Sequence, residues 1–273
     1  PPPPVFFFKP PPATPDPLWS RVLGDVYKRQ GLRDVPINKN VCGKDALSTL
    51  PIIKQVIVSA PDSMLESEFE KKLYIARVQS EKILAAYNIN ATSLEGYLHP
   101  ETYYLYHDSS PEEIIDILLN EFWKKFDKTL QDRANQLGFS VHEVVTLASI
   151  IEGEAMLDSE RKTISSVYHN RLKINMKLQA DPTIQYIIPG PPKTLSNRDL
   201  RIKSDYNTYQ NYGLPPGPIN NPGIESIIAA LYPEETDFLF FVAQGDGSHA
   251  FTTNEKDHEE AKRIYKINKR KNR

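Results

Sequence analysis

The sequence predicts an α+β protein, in which a helical segment is followed by a loop-rich region and a small antiparallel sheet. Apolar residues recur at helical spacing as far as about residue 172. Residues 179–222 are dense in Pro, Gly, Asn and Tyr and have little periodicity, so we expect a long functional loop. The segments DFLFFVA, QGDGS and HAFTT then form the pattern of a β-hairpin. Helices that precede strands, rather than alternate with them, indicate the α+β class.

Capping signals delimit the first clear helix. Ser110 and Glu113 form a capping box with Pro111 at the first helical position, and Gly138 ends the helical stretch that follows. The apolar stripe expected to be buried consists of Ile114, Ile115, Leu118, Phe122 and Phe126.

Further helices follow along the chain. Ser140 and Glu143 form a second capping box, which opens the helix containing LASIIEGEA. A third helix is expected from about Asp158, a short one from Asn221, and a final one from about Asn254. The third helix should bury Ile164, Val167, Tyr168 and Leu172.

The sequence predicts three parts of the chain, with boundaries near residues 30 and 92. Residues 1–30 contain DVYKRQ, which resembles the translated mosaic end of a transposon sequencing adapter, so we expect this segment to be an assembly artefact that takes no part in the fold. The true protein would then begin upstream of this fragment. Residues 31–92 contain a predicted strand at 55–60 and Glu/Lys-rich helical spacing over 61–89. Residues 93–273 carry the motifs discussed below, beginning with an aromatic segment expected to be extended or looped.

Composition excludes several classes of protein. The formal charge of −2 gives no basic face for nucleic acid, and the one cysteine, Cys42, rules out an internal disulfide framework. No apolar run approaches the ~20 residues of a membrane span, and no signal peptide is visible. Six scattered histidines form no metal-binding pair, and neither a phosphate-binding loop nor a GxSxG motif is present, so no metal or cofactor is predicted.

The stretch TLASIIEGEAMLDSERK raises the question of catalysis. It puts two glutamates, Glu152 and Glu154, on either side of a glycine at the end of an apolar helical run. Residues two apart on a helix point about 200° away from each other, so we do not expect both carboxyl groups in one pocket. Glu152 follows two isoleucines, and burial there would raise its pKa towards the range of a general acid, while Glu154 should face solvent or support it. The alternative is a structural Glu152 in a salt bridge with Arg161 or Lys162.

The segments downstream also allow two interpretations. In LQADPTIQY, Asp181 is either a helix N-cap or part of a site. In YNTYQNYGLPPGPINNPG, tyrosines and amides are typical of a sugar-binding cleft, although they would equally hold a rigid loop in place.

Taken in order, seven motifs resemble the endolytic murein transglycosylases, the YceG-like family of bacterial cell-wall enzymes. They are LEGYLHPETY, LASIIEGEA, SERKTISSVYHNRL, LQADPTIQY, LSNRDL, YNTYQNYGLPPGPINNPG and FFVAQGDGSHAFTTNEKDH, which together cover about residues 93–266. The resemblance implies that residues 93–273 are the catalytic domain. It also implies that residues 31–92 are at most the remnant of a LysM-like subdomain with a helical connector. The family's N-terminal membrane anchor is missing from this sequence.

The resemblance implies cleavage of the β-1,4 bond between N-acetylmuramic acid and N-acetylglucosamine within peptidoglycan strands, giving 1,6-anhydro ends and terminating nascent strands. It makes Glu152 the single general acid/base. Gly153 is a departure from the family's usual lysine, and we expect the glycine to loosen the helix end. The resemblance implies an enzyme at the bacterial inner membrane facing the cell wall, with glycan strands and wall-synthesis machinery as partners. The expected substrate-binding residues are Glu154, Arg171, Gln179, Asp181, Thr183, Asn207, Tyr209, His249 and Asn254.

Two other functions remain open at this point. One is a hydrolytic muramidase in which Glu152 acts with Asp181 as base, giving reducing ends instead of anhydro ends. The other is a glycan-binding module without catalytic activity.

Overall fold

The computed structural model describes residues 80–101, 103, 111–189 and 193–271, and the prediction of an α+β fold is confirmed over these residues. They form eight α-helices, two short 3-10 turns and one two-stranded antiparallel sheet. The helices are α1 (Ser80–Ala86), α2 (Pro111–Lys125), α3 (Lys128–Leu137), α4 (Val141–Glu154), α5 (Arg161–Lys173), α6 (Asp181–Ile187), α7 (Ile224–Leu231) and α8 (Glu255–Lys271). The 3-10 turns are Asp158–Glu160 and Asp199–Arg201, and the strands are β1 (Phe240–Ala243) and β2 (His249–Thr252).

Helix α4 is the central element of the fold. Every residue from 144 to 151 is buried, as expected for a helix that is surrounded by other elements rather than amphipathic. It contacts α7, α6, α5 and α3. The predicted capping box is confirmed at its start, where Ser140 N–H donates to Glu143 Oε2 at 2.8 Å and Glu143 N–H donates to Ser140 Oγ at 3.2 Å. Its other end, at Glu154, delivers the two glutamates of interest.

The predicted stripe of α2 is confirmed, since all five of its apolar residues are buried. Gly138 ends α3 in the left-handed conformation, at φ 76°, as predicted. The stretch before it consists of two helices rather than one, because the Asp127 side chain accepts from Leu130 N–H and so caps a new helix. Ser110, the predicted cap of α2, lies outside the described residues.

The loop that precedes α7 is fastened to α4. Ser149 Oγ accepts from Ile219 N–H at 3.0 Å, and Asn220 Nδ2 donates to the Ser149 carbonyl at 2.7 Å. Asn221 Oδ1 in turn accepts from Gly96 N–H at 2.7 Å, which ties the aromatic segment that starts at residue 93 to the same loop. The described part of this segment contains turns and bends without a helix or strand, as predicted.

The start of α7 differs from the prediction. Asn221 was expected to open the helix, but α7 begins at Ile224 and Gly223 occupies the N-cap position. Asn221 does not cap α7 because its side-chain oxygen accepts from the backbone of residues 96 and 98.

The predicted hairpin is confirmed. Its strands pair in antiparallel register from Phe240 opposite Thr252 to Ala243 opposite His249. Both glycines of the connecting loop, Gly245 and Gly247, have φ 98°, a conformation that disfavours a side chain.

One hydrophobic core cluster joins the described elements. Leu84 and Ile89, which precede the predicted domain boundary at residue 92, pack in the same cluster as α2 and α4. The predicted artefact at 1–30 and the predicted strand at 55–60 lie outside the described residues. Within the described ranges, every helix is too short or too polar to span a bilayer.

Candidate active site

The end of α4 directs its two carboxyl groups into different surroundings, as the helical geometry predicts. Glu152 contacts Arg161 at the start of α5 and Ser226 on α7. Glu154 contacts Tyr168, further along α5, and lies near Asp181 at the start of α6. The residue between them, Gly153, is buried. The two glutamates therefore have to be considered separately.

Glu152 is held in a salt bridge. Its Oε2 atom lies 3.0 Å from Arg161 Nη1 and accepts from Ser226 Oγ at 2.7 Å and from Gly223 N–H at 3.3 Å. The Glu152 and Arg161 side chains are 12% and 6% exposed, so this pair is largely desolvated. The structure thus contains the salt bridge to Arg161 that the sequence left open as the alternative to catalysis. These contacts connect α4, α5 and α7.

Glu154 has the surroundings expected of a general acid. Tyr168 on α5 donates its hydroxyl to Glu154 Oε1 at 2.9 Å. Burial, reinforced by the nearby negative charge of Asp181, raises the pKa of Glu154 to about 8, against the opposing effects of Tyr168 and Arg171. A carboxyl with this pKa is mostly protonated at neutral pH and can therefore donate a proton. The sequence predicted this environment for Glu152 and predicted that Glu154 faces solvent or supports it; the structure has Glu154 half-buried beside Tyr168.

Asp181 is the second acid of this cluster. Tyr209 donates its hydroxyl to Asp181 Oδ1 at 2.5 Å, and burial raises the pKa of Asp181 while this hydrogen bond opposes the shift. Of the two interpretations that the sequence left open, the N-cap does not apply, because Asp181 is the first residue of α6 and the N-cap position is Ala180, which makes no side-chain cap. The Asp181 side chain accepts from Tyr209 instead.

Arg171 belongs to the same cluster. Its guanidinium donates to the carbonyl oxygens of Leu239, at 2.7 Å, and of Leu178, and it lies over the Phe240 ring. Its positive charge lowers the pKa of Glu154, although less than burial raises it. The predicted residues Glu154, Arg171, Asp181 and Tyr209 are thus brought together.

Thr183 and Asn207 are fully buried and shape the loop beside the cluster. Thr183 Oγ1 donates to the Ala180 carbonyl at 2.7 Å and lies 2.9 Å from Thr208 Oγ1. Asn207 Nδ2 donates to the carbonyl oxygen of residue 202 at 2.7 Å, and its Oδ1 accepts from the backbone N–H of Tyr209. Both side chains therefore position Tyr209 and the start of α6, and neither is free to reach a substrate in this conformation.

The remaining predicted residues lie at the edge of the cluster or outside it. His249 bonds to Glu160 through its backbone N–H, at 2.9 Å, and through Nδ1, at 2.7 Å. Asn254 accepts from Asp257 N–H at 3.0 Å and so caps α8, and none of its hydrogen bonds reaches the cluster. Gln179 is exposed and lines a groove next to α6.

Three contributors were missed from the sequence as members of a site: Tyr168, Ser226 and Glu160. Tyr168 could have been found, because it lies three residues before Arg171 and therefore on the same face of α5. Ser226 and Glu160 reach their partners, Glu152 and His249, across 74 and 89 residues of sequence, which no local pattern indicates.

Gly153 allows two helices to approach closely. A Cβ atom at this position would lie 2.7 Å from Pro182 Cβ and 2.9 Å from Pro182 Cγ. The missing side chain therefore lets α6 lie against the backbone of α4, while a loosened helix end stays a prediction. Within the described ranges, no group of three His, Cys, Asp or Glu side chains is arranged to hold a metal ion.

Several known proteins are similar to this chain over most of its length. A protein-family model described as "YceG-like family" matches residues 26–264. The chain is 38% identical over 215 residues to the "Endolytic murein transglycosylase" of Bacillus subtilis (strain 168), which covers 73% of this chain and 59% of that relative. It is 33% identical over 175 residues to the protein of the same name from Streptococcus pneumoniae (serotype 2, strain D39), covering 61% of this chain and 31% of that one.

A solved structure is also similar. The putative yceG-like protein lmo1499 from Listeria monocytogenes superposes with a TM-score of 0.60 at 37% identity, covering 66% of this chain and 62% of that structure. The chain spans less than two thirds of the length of each of these relatives. With a family match over residues 26–264, the chain belongs to the YceG-like family.

Proposed function

We propose that this chain is a peptidoglycan lytic transglycosylase that cleaves the β-1,4 bond between N-acetylmuramic acid and N-acetylglucosamine inside glycan strands and leaves 1,6-anhydro-muramoyl ends. The names of the relatives from Bacillus subtilis and Streptococcus pneumoniae support the reaction class. The observation that carries the proposal is the half-buried carboxyl of Glu154, whose pKa is raised to about 8 and which adjoins Asp181 and the tyrosine-rich loop.

The chemistry requires one group that gives and then takes a proton. An acid protonates the glycosidic oxygen as the bond breaks, and the sugar passes through an oxocarbenium-like state. The C6 hydroxyl of the muramoyl residue then attacks C1, and its proton returns to the carboxylate, so no water is consumed. One carboxyl group can perform both steps, and a pKa of about 8 keeps it in the acid form before the reaction.

The contacts favour Glu154 over Glu152 for this role. The Glu152 carboxylate accepts hydrogen bonds from Arg161, Ser226 and Gly223, so its salt bridge would have to open before it could act as an acid. Glu154 accepts from Tyr168 and lies beside Asp181, whose charge favours the protonated form. Glu152, the residue expected from the sequence, is better suited to positioning the end of α4.

Three neighbours of Glu154 have separate tasks in this proposal. Asp181 raises the pKa of the acid and, after proton transfer, stabilises positive charge on the sugar. Tyr209 orients Asp181 through its hydroxyl. Arg171 limits the rise of the Glu154 pKa, so that the carboxylate form stays accessible.

Mass spectrometry of products from purified glycan strands tests the proposal. The wild-type chain should give anhydro-muramoyl ends, and Glu154→Gln should remove them. Glu152→Gln should retain a reduced level, since it disturbs a salt bridge and not the acid. Glu225→Gln, an exposed glutamate on α7, is the matched control and should behave like the wild type. Loss of products in Glu152→Gln with their retention in Glu154→Gln would reverse the assignment.

The same measurement separates the alternatives. A hydrolytic muramidase gains some support from the closeness of Asp181 to Glu154, because ordinary glycosidases use two carboxyl groups. It predicts reducing ends, which would refute the transglycosylase. A glycan-binding module predicts that neither glutamate variant changes the products.

The cellular role is the finer part of the proposal. We infer that the enzyme terminates elongation of nascent strands from the inner-membrane side of the cell wall, together with wall-synthesis machinery, through an anchor on the complete protein. Cells that lack the protein should then contain longer glycan strands, and strand lengths unchanged from the parent strain would contradict this role.

A further inference from the structure

An open groove of about 390 Å³ lies beside the candidate active site, between the end of α5 and the start of α6. Its volume is within the range of roughly 300–1,000 Å³ typical of small-ligand sites. The side chains around it belong to the α5–α6 connection and the tyrosine-rich loop, and are Ile174, Asn175, Met176, Lys177, Gln179 and Tyr212.

The groove exposes an aromatic face. Tyr212 is 61% exposed and Ile174 is 57% exposed, the two highest values among the large apolar side chains of the described residues. Both side chains line the same groove. A flat, exposed tyrosine matches the apolar face of a pyranose ring.

The backbone of the groove is left-handed at two positions. Asn175 has φ 53° and Gln179 has φ 50°, and they are two of the three non-glycine residues with positive φ in the described part of the chain. Asn175 ends α5 as an ordinary left-handed cap, since Met176 N–H donates to the Arg171 carbonyl at 2.8 Å. Gln179 has no such role in ending a helix, so its conformation costs about 1–2 kcal/mol, and its N–H is held by the Thr208 carbonyl at 3.1 Å.

The groove also carries a positive charge. Lys177 Nζ lies 5.0 Å from the centre of the Tyr212 ring. Among the residues that the structure describes, no carboxylate lies within 4.0 Å of this ammonium group. Lys177 is therefore available to an anionic ligand that also contacts Tyr212.

The groove adjoins the candidate active site through the chain. Gln179 lines it and is two residues before Asp181, and the intervening Ala180 N–H donates to Thr208 Oγ1 at 2.9 Å. The carbonyl of Leu178 accepts from Arg171, the cation beside Glu154. The segment 178–181 therefore connects the groove to the cluster around Glu154.

We propose that this groove is a glycan-strand subsite for a muramoyl residue that carries its peptide, with Tyr212 against the sugar ring and Lys177 paired with a carboxylate of the peptide. The inference rests on the proposed transglycosylase function, because that function supplies a substrate with both chemistries. A peptide-bearing strand would then be held more tightly than a strand from which the peptides have been removed.

Binding of purified strands to the Glu154→Gln chain tests the subsite without turnover. Two strand preparations are compared, one with peptides and one stripped of them by an amidase. In this parent chain, Lys177→Gln should weaken binding of peptide-bearing strands up to about fivefold, the range of a partly exposed ion pair, and leave stripped strands unaffected. Tyr212→Ala should weaken both about tenfold, and Tyr212→Phe should lose less because it keeps the ring. Lys82→Gln, an exposed lysine on α1, is the matched control.

Two results would overturn the subsite. One is unchanged binding of both preparations by Tyr212→Ala, and the other is equal weakening of both by Lys177→Gln. Failure of the proposed function is a different result, namely a wild-type chain that makes no anhydro ends while the groove variants still weaken strand binding.

Discussion

As the pH rises, the free energy of unfolding of the Glu154→Gln chain should increase relative to that of the wild type. Burial and the charge of Asp181 raise the pKa of Glu154 to about 8, whereas the unfolded chain has the ordinary value of 4.5. The folded state therefore binds this proton more tightly. The stabilisation from that proton is fully present below pH 4.5 and is lost as the pH rises through 8.

The expected size follows from the two pKa values. Between them, each pH unit removes about 1.4 kcal/mol from the free energy of unfolding of the wild type. From pH 5 to pH 7 the loss attributable to Glu154 is about 2.5 kcal/mol. Glutamine cannot ionise, yet its side-chain oxygen can still accept the hydrogen bond that Tyr168 donates to Glu154 Oε1. The variant should therefore avoid this loss and keep the packing.

Urea denaturation of both chains at pH 5 and pH 7 measures the effect. At each pH, the free energy of unfolding of the wild type is subtracted from that of the variant. The change in this difference between pH 5 and pH 7 measures the effect. Other titrating groups, including the buried Glu95, contribute equally to both chains and largely cancel. Glu225→Gln, on the exposed face of α7, is the matched control, and its difference from the wild type should be the same at both pH values.

A stability difference that is the same at pH 5 and pH 7 would refute the argument. So would a Glu154→Gln chain that is less stable than the wild type at pH 7, because the carboxyl would then be ionised and favourably paired in the folded protein. The same variant should lose the anhydro products, so stability gained and activity lost in one substitution would link burial of the acid to its function.

Three further substitutions test the surroundings of the site. Arg161→Met should cost about 3 kcal/mol in urea denaturation, because it leaves the largely buried Glu152 carboxylate unpaired; a loss below 1 kcal/mol would show that water reaches Glu152. Gly153→Ala should cost about 1–3 kcal/mol, since its Cβ would lie 2.7 Å from Pro182 Cβ; unchanged stability would mean that α6 moves away freely. Burial raises the pKa of Glu95 to about 7. Between pH 5 and pH 7 the free energy of unfolding should therefore fall by about 2 kcal/mol less in Glu95→Gln than in the wild type. An equal fall in both chains would contradict this.

Local signals in the sequence predicted the elements that position the site. The Ser140–Glu143 capping box and the Gly138 terminator depend on neighbours within a few residues, and both are present as predicted. The hairpin was equally predictable, because its strands and turn are contiguous in sequence. Where a side chain has a distant partner, the local rule failed, as for Asn221, which bonds to Gly96 instead of capping α7.

The surroundings of the two glutamates could not be predicted from sequence alone. Glu152 follows two isoleucines, but chain neighbours lie about 100° apart on a helix and do not share a face. The surroundings of Glu154 come from α5 and α6, through Tyr168 and Asp181. Its burial therefore depends on how three helices pack, which helical periodicity along α4 does not specify.

Gly153 connects this packing to the chemistry. Because it has no side chain, Pro182 can lie against the backbone of α4 at a distance that a Cβ atom would not allow. Asp181 immediately precedes Pro182, so the same close approach brings its charge beside Glu154 and contributes to the raised pKa. On the opposite side of the helix end, Arg161 and Ser226 hold Glu152 and fix the direction of the last turn. The Glu-Gly-Glu sequence thus combines a salt-bridged acid, a point of close helix contact and an acid with a raised pKa within three residues.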